Sequence, residues 1–193
     1  MKKLSVIVIA IVAALAIHAS AQTTVVAGSE PHKVGIARTV ELTATIVAID
    51  ATTRDIMLKG PKGNRVVVTA GPEVNNFDQL KVGDQVHAKY DEALVLELKK
   101  GNDLAVARTE ESGAMGAKPG AQPHGVAGRR ITVVADVIAV DRATQTVTLQ
   151  GPELTVDMKI ADPEKFKMIK KGDQVYATYT QALAMVVVPA PKK

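Results

Sequence analysis

The chain contains no cysteine and no tryptophan. The first absence excludes disulfides, a thiol nucleophile, thiolate zinc sites and a cysteine to carry lipid at an export junction. Aromatic residues are scarce: Phe77, Phe166, Tyr90, Tyr176 and Tyr179 are the full set. Neither charge dominates, with 24 Lys and Arg against 20 Asp and Glu. A balance of this kind favours solubility and points to no particular partner. The chain also lacks a nucleophile elbow, a phosphate-binding glycine loop and a zinc helix motif.

Long apolar runs are missing except for one, the fourteen residues Leu4–Ile17. A membrane-spanning helix needs about 20 apolar residues. This run is preceded by Lys2 and Lys3 and followed by Ala19-Ser20-Ala21, the small residues a signal peptidase requires. Residues 1–21 are therefore expected to be a signal peptide cleaved before Gln22, leaving no membrane span. Loss of the two lysines lowers the formal charge from +4 to +2.

What the chain does have is nearly the same unit twice. Thr45-Ile-Val-Ala-Ile-Asp50 returns as Asp136-Val-Ile-Ala-Val-Asp141, and Leu58-Lys-Gly-Pro61 as Leu149-Gln-Gly-Pro152. Val82-Gly-Asp-Gln-Val86 returns as Lys171-Gly-Asp-Gln-Val175, and Ala93-Leu94 as Ala182-Leu183. The offset is 91 residues up to Pro152 and 89 from Phe77/Phe166 onward, so the second copy lacks two residues around its third strand. A period this long is a small domain rather than a solenoid unit. At about 60 residues, each must fold on burial alone.

Within each copy the pattern reads as five strands and a short helix. In the first, Val40, Leu42, Ala44, Ile46 and Ala48 alternate on a long strand ending at Asp50, and Asp50–Arg54 forms a hairpin turn. Ile56 and Leu58 mark strand two, and Val66 and Val68 mark strand three. Pro72 and Pro163 suit a first helical turn, with Asp162 as N-cap. Val74, Phe77 and Leu80, like Phe166 and Ile169, share a helical face. Val86, Ala88 and Tyr90 alternate on strand four, and strand five covers Ala93–Lys99, or Ala182–Val188 in the second copy. This order is that of a five-stranded OB-type barrel. The expectation is an all-β chain of two such barrels, 39–100 and 129–189. They are preceded by a flexible segment 22–38, joined by a Gly/Pro-rich flexible linker 101–128 and followed by a tail 190–193.

The run from strand one through Gly-Pro, a Phe-centred helix, Lys-x-Gly-Asp-x-Val and Tyr-x-x-Ala-Leu resembles a group of uncharacterised exported Gram-negative proteins built from paired OB-like domains. The resemblance implies a periplasmic location and no known activity. One domain is also distantly similar to periplasmic copper/silver chaperones of efflux systems, which hold soft metal through His, two Met two residues apart and a Trp. This chain has neither Trp nor Met-x-Met. Met57 and His87, both expected to point outward, are replaced by Thr148 and Tyr176 in the second copy. Met158, Met168 and Met185 read as fillers.

Nucleic-acid binding is not expected, because strands two and three carry no aromatic platform in either copy. The cluster Lys165, Lys167, Lys170 and Lys171 reads as a solvated helix face, its first-copy counterpart being Asn76, Asp78, Lys81 and Val82. Of the histidines beyond the signal, His32 and His124 fall in segments read as flexible. Asp84 and Asp173 repeat, each after a glycine, where Asp accepts local backbone hydrogen bonds. No catalytic, cofactor-binding or metal-binding residue is assigned. The reading is a non-enzymatic envelope binding or adaptor protein, with a divergent Cu/Ag-binding chaperone as alternative and an enzyme with an unrecognised site as a third.

Overall fold

The computed structural model describes residues 22–71, 74–118 and 120–190. The signal peptide, the helix start expected at Pro72 and the last three residues of the tail lie outside them. The described residues form β1 Gln22–Glu30, β2 Lys33–Asp50, β3 Asp55–Lys59, β4 Arg65–Thr69, a 3-10 turn Phe77–Gln79 and β5 Gln85–Lys99. There follow β6 Ala107–Gly116, β7 His124–Asp141, β8 Thr146–Gln150, β9 Thr155–Lys159, α1 Pro163–Met168 and β10 Gln174–Val188. All ten strands join one antiparallel sheet with the path β4-β3-β2-β5-β10-β7-β8-β9. β1 pairs with β2 and β6 with β7. Among the described residues, no helix is long and apolar enough to cross a membrane.

Local chemistry explains the shared features of the copies. The first long strand is apolar on both faces at its end because it bulges. Register shifts at Val47 in β2 and at Ile138 in β7 move Ile49 and Val140 onto the core side. The bulge is held from below by the glycine turn: Ile46 N–H donates to Asp84 O (2.9 Å) and Gly83 N–H to Ile46 O (2.8 Å). Val137, Asp173 and Gly172 repeat the arrangement. Gly83 has φ +101°, a conformation that penalises any Cβ. The β2–β3 turn closes on Asp50, whose carboxylate accepts the N–H groups of Thr52 and Thr53. Its last residue, Arg54, sits at φ +59° and donates to the carbonyls of Ala70, Gly71 and Val74 while stacking 4.6 Å above the Phe77 ring. Phe77 and Phe166 are both buried, and Asp162 caps α1 by accepting from Glu164 and Lys165 N–H.

The fold departs from the expectation where the copies meet. Strands four and five are one continuous strand in each copy, β5 and β10, so the sheet runs on instead of closing into a barrel. The apparent break at Asp91-Glu92 is spanned because both acids find partners inside the sheet, Thr39 and Arg38. β5 pairs with β10 along its whole length. Glu92 faces Gln181, its own repeat equivalent, while Tyr90 faces Leu183 and Leu94 faces Tyr179, the same two repeat positions exchanged. The sheet thus has an internal pseudo-two-fold axis through Glu92 and Gln181.

The segments read as flexible are largely strand. β1 and the start of β2 form a hairpin within 22–38, and β6 and the start of β7 form another within 101–128. Their Gly-, Ala- and Ser-rich sequences show little local periodicity, because their order comes from pairing beside distant strands. Each hairpin tip bonds to the long strand of its own copy: His32 O accepts from Leu98 N–H (2.8 Å), and Pro123 O from Val187 N–H (2.9 Å). Each tip also reaches the other copy, where Asn76 donates to the carbonyls of Lys118 and Ala121, and Lys165 to that of Glu30. Two apolar cores result, one around Ile46, Leu58, Phe77 and Tyr90, the other around Val137, Val147, Leu149 and Phe166. The first also takes Leu183, Met185 and Val187 from β10.

Candidate functional site

One row of side chains crosses the middle of the sheet perpendicular to the strands. Arg38 on β2 lies beside Glu92 on β5, Gln181 on β10 and Arg129 on β7. Glu92 is held by three donors: Arg38 Nη2 (2.9 Å), Tyr90 Oη (2.9 Å) and Tyr179 Oη (3.3 Å). Gln181 donates from Nε2 to Tyr90 Oη (2.6 Å) and accepts at Oε1 from Arg129 Nε (3.1 Å) and Nη2 (2.7 Å). Burial pushes the Tyr90 hydroxyl well above the usual tyrosine range, and the Glu92 charge adds to the shift. Tyr179 is raised for the same two reasons. Both tyrosines therefore keep their protons at neutral pH and serve as donors to the carboxylate.

The row is not charge-symmetric. A glutamate at position 181 would place two carboxylates opposite each other on the axis, an arrangement that destabilises a strand pair. Glutamine instead offers a donor on one side and an acceptor on the other.

Four residues along the strands from this row, on the same face, lies an apolar groove of about 290 Å³. Its floor and walls include Leu96, Val133, Leu149, Val156, Met158 and Ala177. At its rim Arg108 reaches Glu110 (2.5 Å), which also pairs with Arg129 (3.6 Å), so the groove and the polar row are joined by charge. The groove is open because the second copy is shorter. Its β8–β9 turn has four residues between Gln150 and Thr155, against five between Lys59 and Arg65. Val66 packs against the first core, whereas its counterpart Val156 is 41% exposed and the neighbouring Leu154 60%.

The residues singled out in the sequence lie elsewhere. Asp84 and Asp173 are buried in their turns, accepting from Lys81 N–H and Lys170 N–H (2.9 Å each). Asp84 also accepts from Ala190 N–H, and Asp173 pairs with Lys100 (2.9 Å). They sit at opposite ends of the β5–β10 pair, roughly 50 Å apart at the rise of an extended strand, and form no dyad. His87 is exposed and bonded to Thr43 (3.1 Å). Met57 is half-buried and faces Ala48, five residues along β2 from the Thr43 that faces His87.

His87 and His124 share a groove on the opposite face but are separated by Val186 and two strand spacings, roughly 10 Å. Met158 and Met185 pack against the cores, and Met168 lines a cavity beside α1. In the lysine cluster, Lys165 clamps the β1–β2 hairpin and Lys167 pairs with Glu164. The polar row leaves no contiguous pattern in the sequence because its members are distant along the chain. The one available signal was the repeated Tyr-x-Glu/Gln spacing of Tyr90-Glu92 and Tyr179-Gln181. No family model, curated protein sequence or solved structure matches the chain.

Proposed function

We propose that this chain is a non-enzymatic binding or adaptor protein of the periplasm, exported by residues 1–21. Its two copies keep the OB-like strand order in an opened form. The observation that carries the reading is the groove of the second copy: apolar, solvent-open, and bordered by the Arg108–Glu110–Arg129 charges. A few convergent polar groups around an apolar cleft is the usual composition of a binding site. The partner that fits is an extended envelope protein or polymer presenting an apolar segment. The polar row is a scaffold in this reading, since its acid is already held by three donors.

Ala177 lies on the groove floor and is half-buried. Ala177→Phe would fill the groove without burying a charge. Immobilised protein is exposed to envelope extract, and the captured material is quantified. The expected result is retention by the wild type and by an exposed control, Val82→Asp, with loss in Ala177→Phe at unchanged melting temperature. Equal retention by Ala177→Phe, or none by the wild type, would refute the proposal.

A further inference from the structure

The open end of the sheet at β9 carries the pattern of a self-pairing edge. β9 pairs only with β8 among the described residues. The β8–β9 ladder is bonded at Gly151·Leu154 and again at Gln145·Ile160. Bonded pairs alternate in an antiparallel ladder, so Leu149·Val156 and Val147·Met158 are the bonded pairs between them. The backbone N–H and C=O groups of Thr155, Asp157 and Lys159 therefore point away from β8, toward the free edge. Leu154 and Val156 stand exposed beside them.

An unpaired edge with exposed apolar side chains is a template for another strand. Natural edges are blunted by charge, but here the charges are of both signs: Glu153, Asp157 and Lys159. Lys159 belongs to no ion pair of the described residues, and Glu153 is tied only loosely to Arg108 (4.0 Å). Three antiparallel self-registers satisfy the outward backbone groups near the strand centre. Thr155 opposite Thr155 brings Glu153, in the turn just before β9, toward Asp157, and Asp157 opposite Asp157 sets two carboxylates face to face. Thr155 opposite Asp157 brings that turn glutamate toward Lys159 at both ends, sets Leu154 beside Met158 and centres the axis on Val156. Like charges directly opposite are destabilising and opposite charges stabilising, so one register is selected. β4, the other end of the sheet, turns Arg65, Val67 and Thr69 outward and has no acid to match Arg65.

We infer that two copies of this chain associate through β9 in that register, forming a two-fold dimer that sets their two grooves side by side. A closed two-fold contact of this kind uses the same patch on both subunits and stops at two. The test is the mass of residues 22–193 by sedimentation across a dilution series. The wild type is expected to shift from single to double mass with concentration. Lys159→Glu and Glu153→Lys should each remain at single mass, and an equimolar mixture of the two should regain double mass, because each mutant edge then meets its complement.

Thr155→Pro removes an outward N–H without touching the β8 ladder and should also hold the protein at single mass. A wild type at single mass throughout, single variants that dimerise like the wild type, or growth beyond two copies by β4-to-β9 pairing would each overturn the inference.

Discussion

Leu183 and Leu94 occupy the same position in the two repeats, yet the structure assigns them different energies. Leu183, on β10 of the second copy, is 1% exposed within the first core, packed with Tyr90 and Leu42. Leu94, on β5, is 37% exposed. Truncating a fully buried leucine to alanine costs about 2.7–5 kcal/mol, the transfer of its methyl groups plus the cavity left behind. At Leu94 the burial is incomplete and water can enter, so the cost reduces to a partial transfer of about 1–1.5 kcal/mol.

With no tryptophan to report on unfolding, the assay is urea denaturation followed by far-ultraviolet circular dichroism. Leu183→Ala should lower the midpoint by about 1.4–2.5 M urea for a slope near 2 kcal/mol per M. Leu94→Ala should lower it by less than half as much. Because the first core takes a residue from the second copy, the Leu183→Ala transition should remain single. Equal midpoints for the two variants, or a transition split so that only the second copy melts early, would refute the shared core.

Three further outcomes follow from the polar groups. Asp84→Asn, which keeps an acceptor for Lys81 N–H, should leave thermal stability nearly unchanged, whereas Asp84→Ala should cost about 0.5–2 kcal/mol, as for comparable capping losses. Burial works to raise the Asp173 carboxyl, but hydrogen bonds from Lys100, Lys170 and Gly101 hold it below the ordinary carboxylate range. Its contribution is therefore present above the unfolded value of about 3.9 and lost as pH falls through the lower folded value. Lys100→Met should shrink that acid-induced loss in a series of thermal melts. Gln181→Glu should destabilise the protein at pH 7 by about 1–3 kcal/mol through an unpaired buried acceptor and a facing carboxylate. The deficit should narrow in acid as the new carboxyl protonates.

The elements that local chemistry dictates were legible in the sequence. The hairpin turn after Asp50, the buried Phe77 and Phe166, the Asp162 cap and the turn role of Asp84 and Asp173 each depend on residues close in the chain. The all-β class followed from the same alternation. The connection between copies was not legible, for a physical reason. Asp91-Glu92 looks like a break in a strand until Arg38 and Thr39 are beside it, and those partners are about fifty residues away. The hairpins of β1 and β6 carry Thr, Ala, Gly and Ser in no strong alternation, and only neighbouring strands specify them. The groove goes with a feature that was visible, the shortening of the second copy, of which one residue falls in the β8–β9 turn, but a deletion does not disclose which wall it opens.

The central claim is that β5 and β10 pair along their length, with Glu92 opposite Gln181, and so fuse the copies into one sheet. In a chain without cysteine that register can be read by introducing one pair of thiols. Lys89 and Ala184 are exposed and directly opposite each other. Directly opposed residues have Cα atoms about 4.5–5.5 Å apart, within disulfide reach, whereas diagonal neighbours at about 7–8 Å are not. Under mild oxidation, Lys89→Cys with Ala184→Cys should lose both free thiols and yield a linked peptide pair by mass spectrometry, while Lys89→Cys with Ala182→Cys should keep its thiols. Free thiols in the first variant, or equal linkage in both, would contradict the fused sheet.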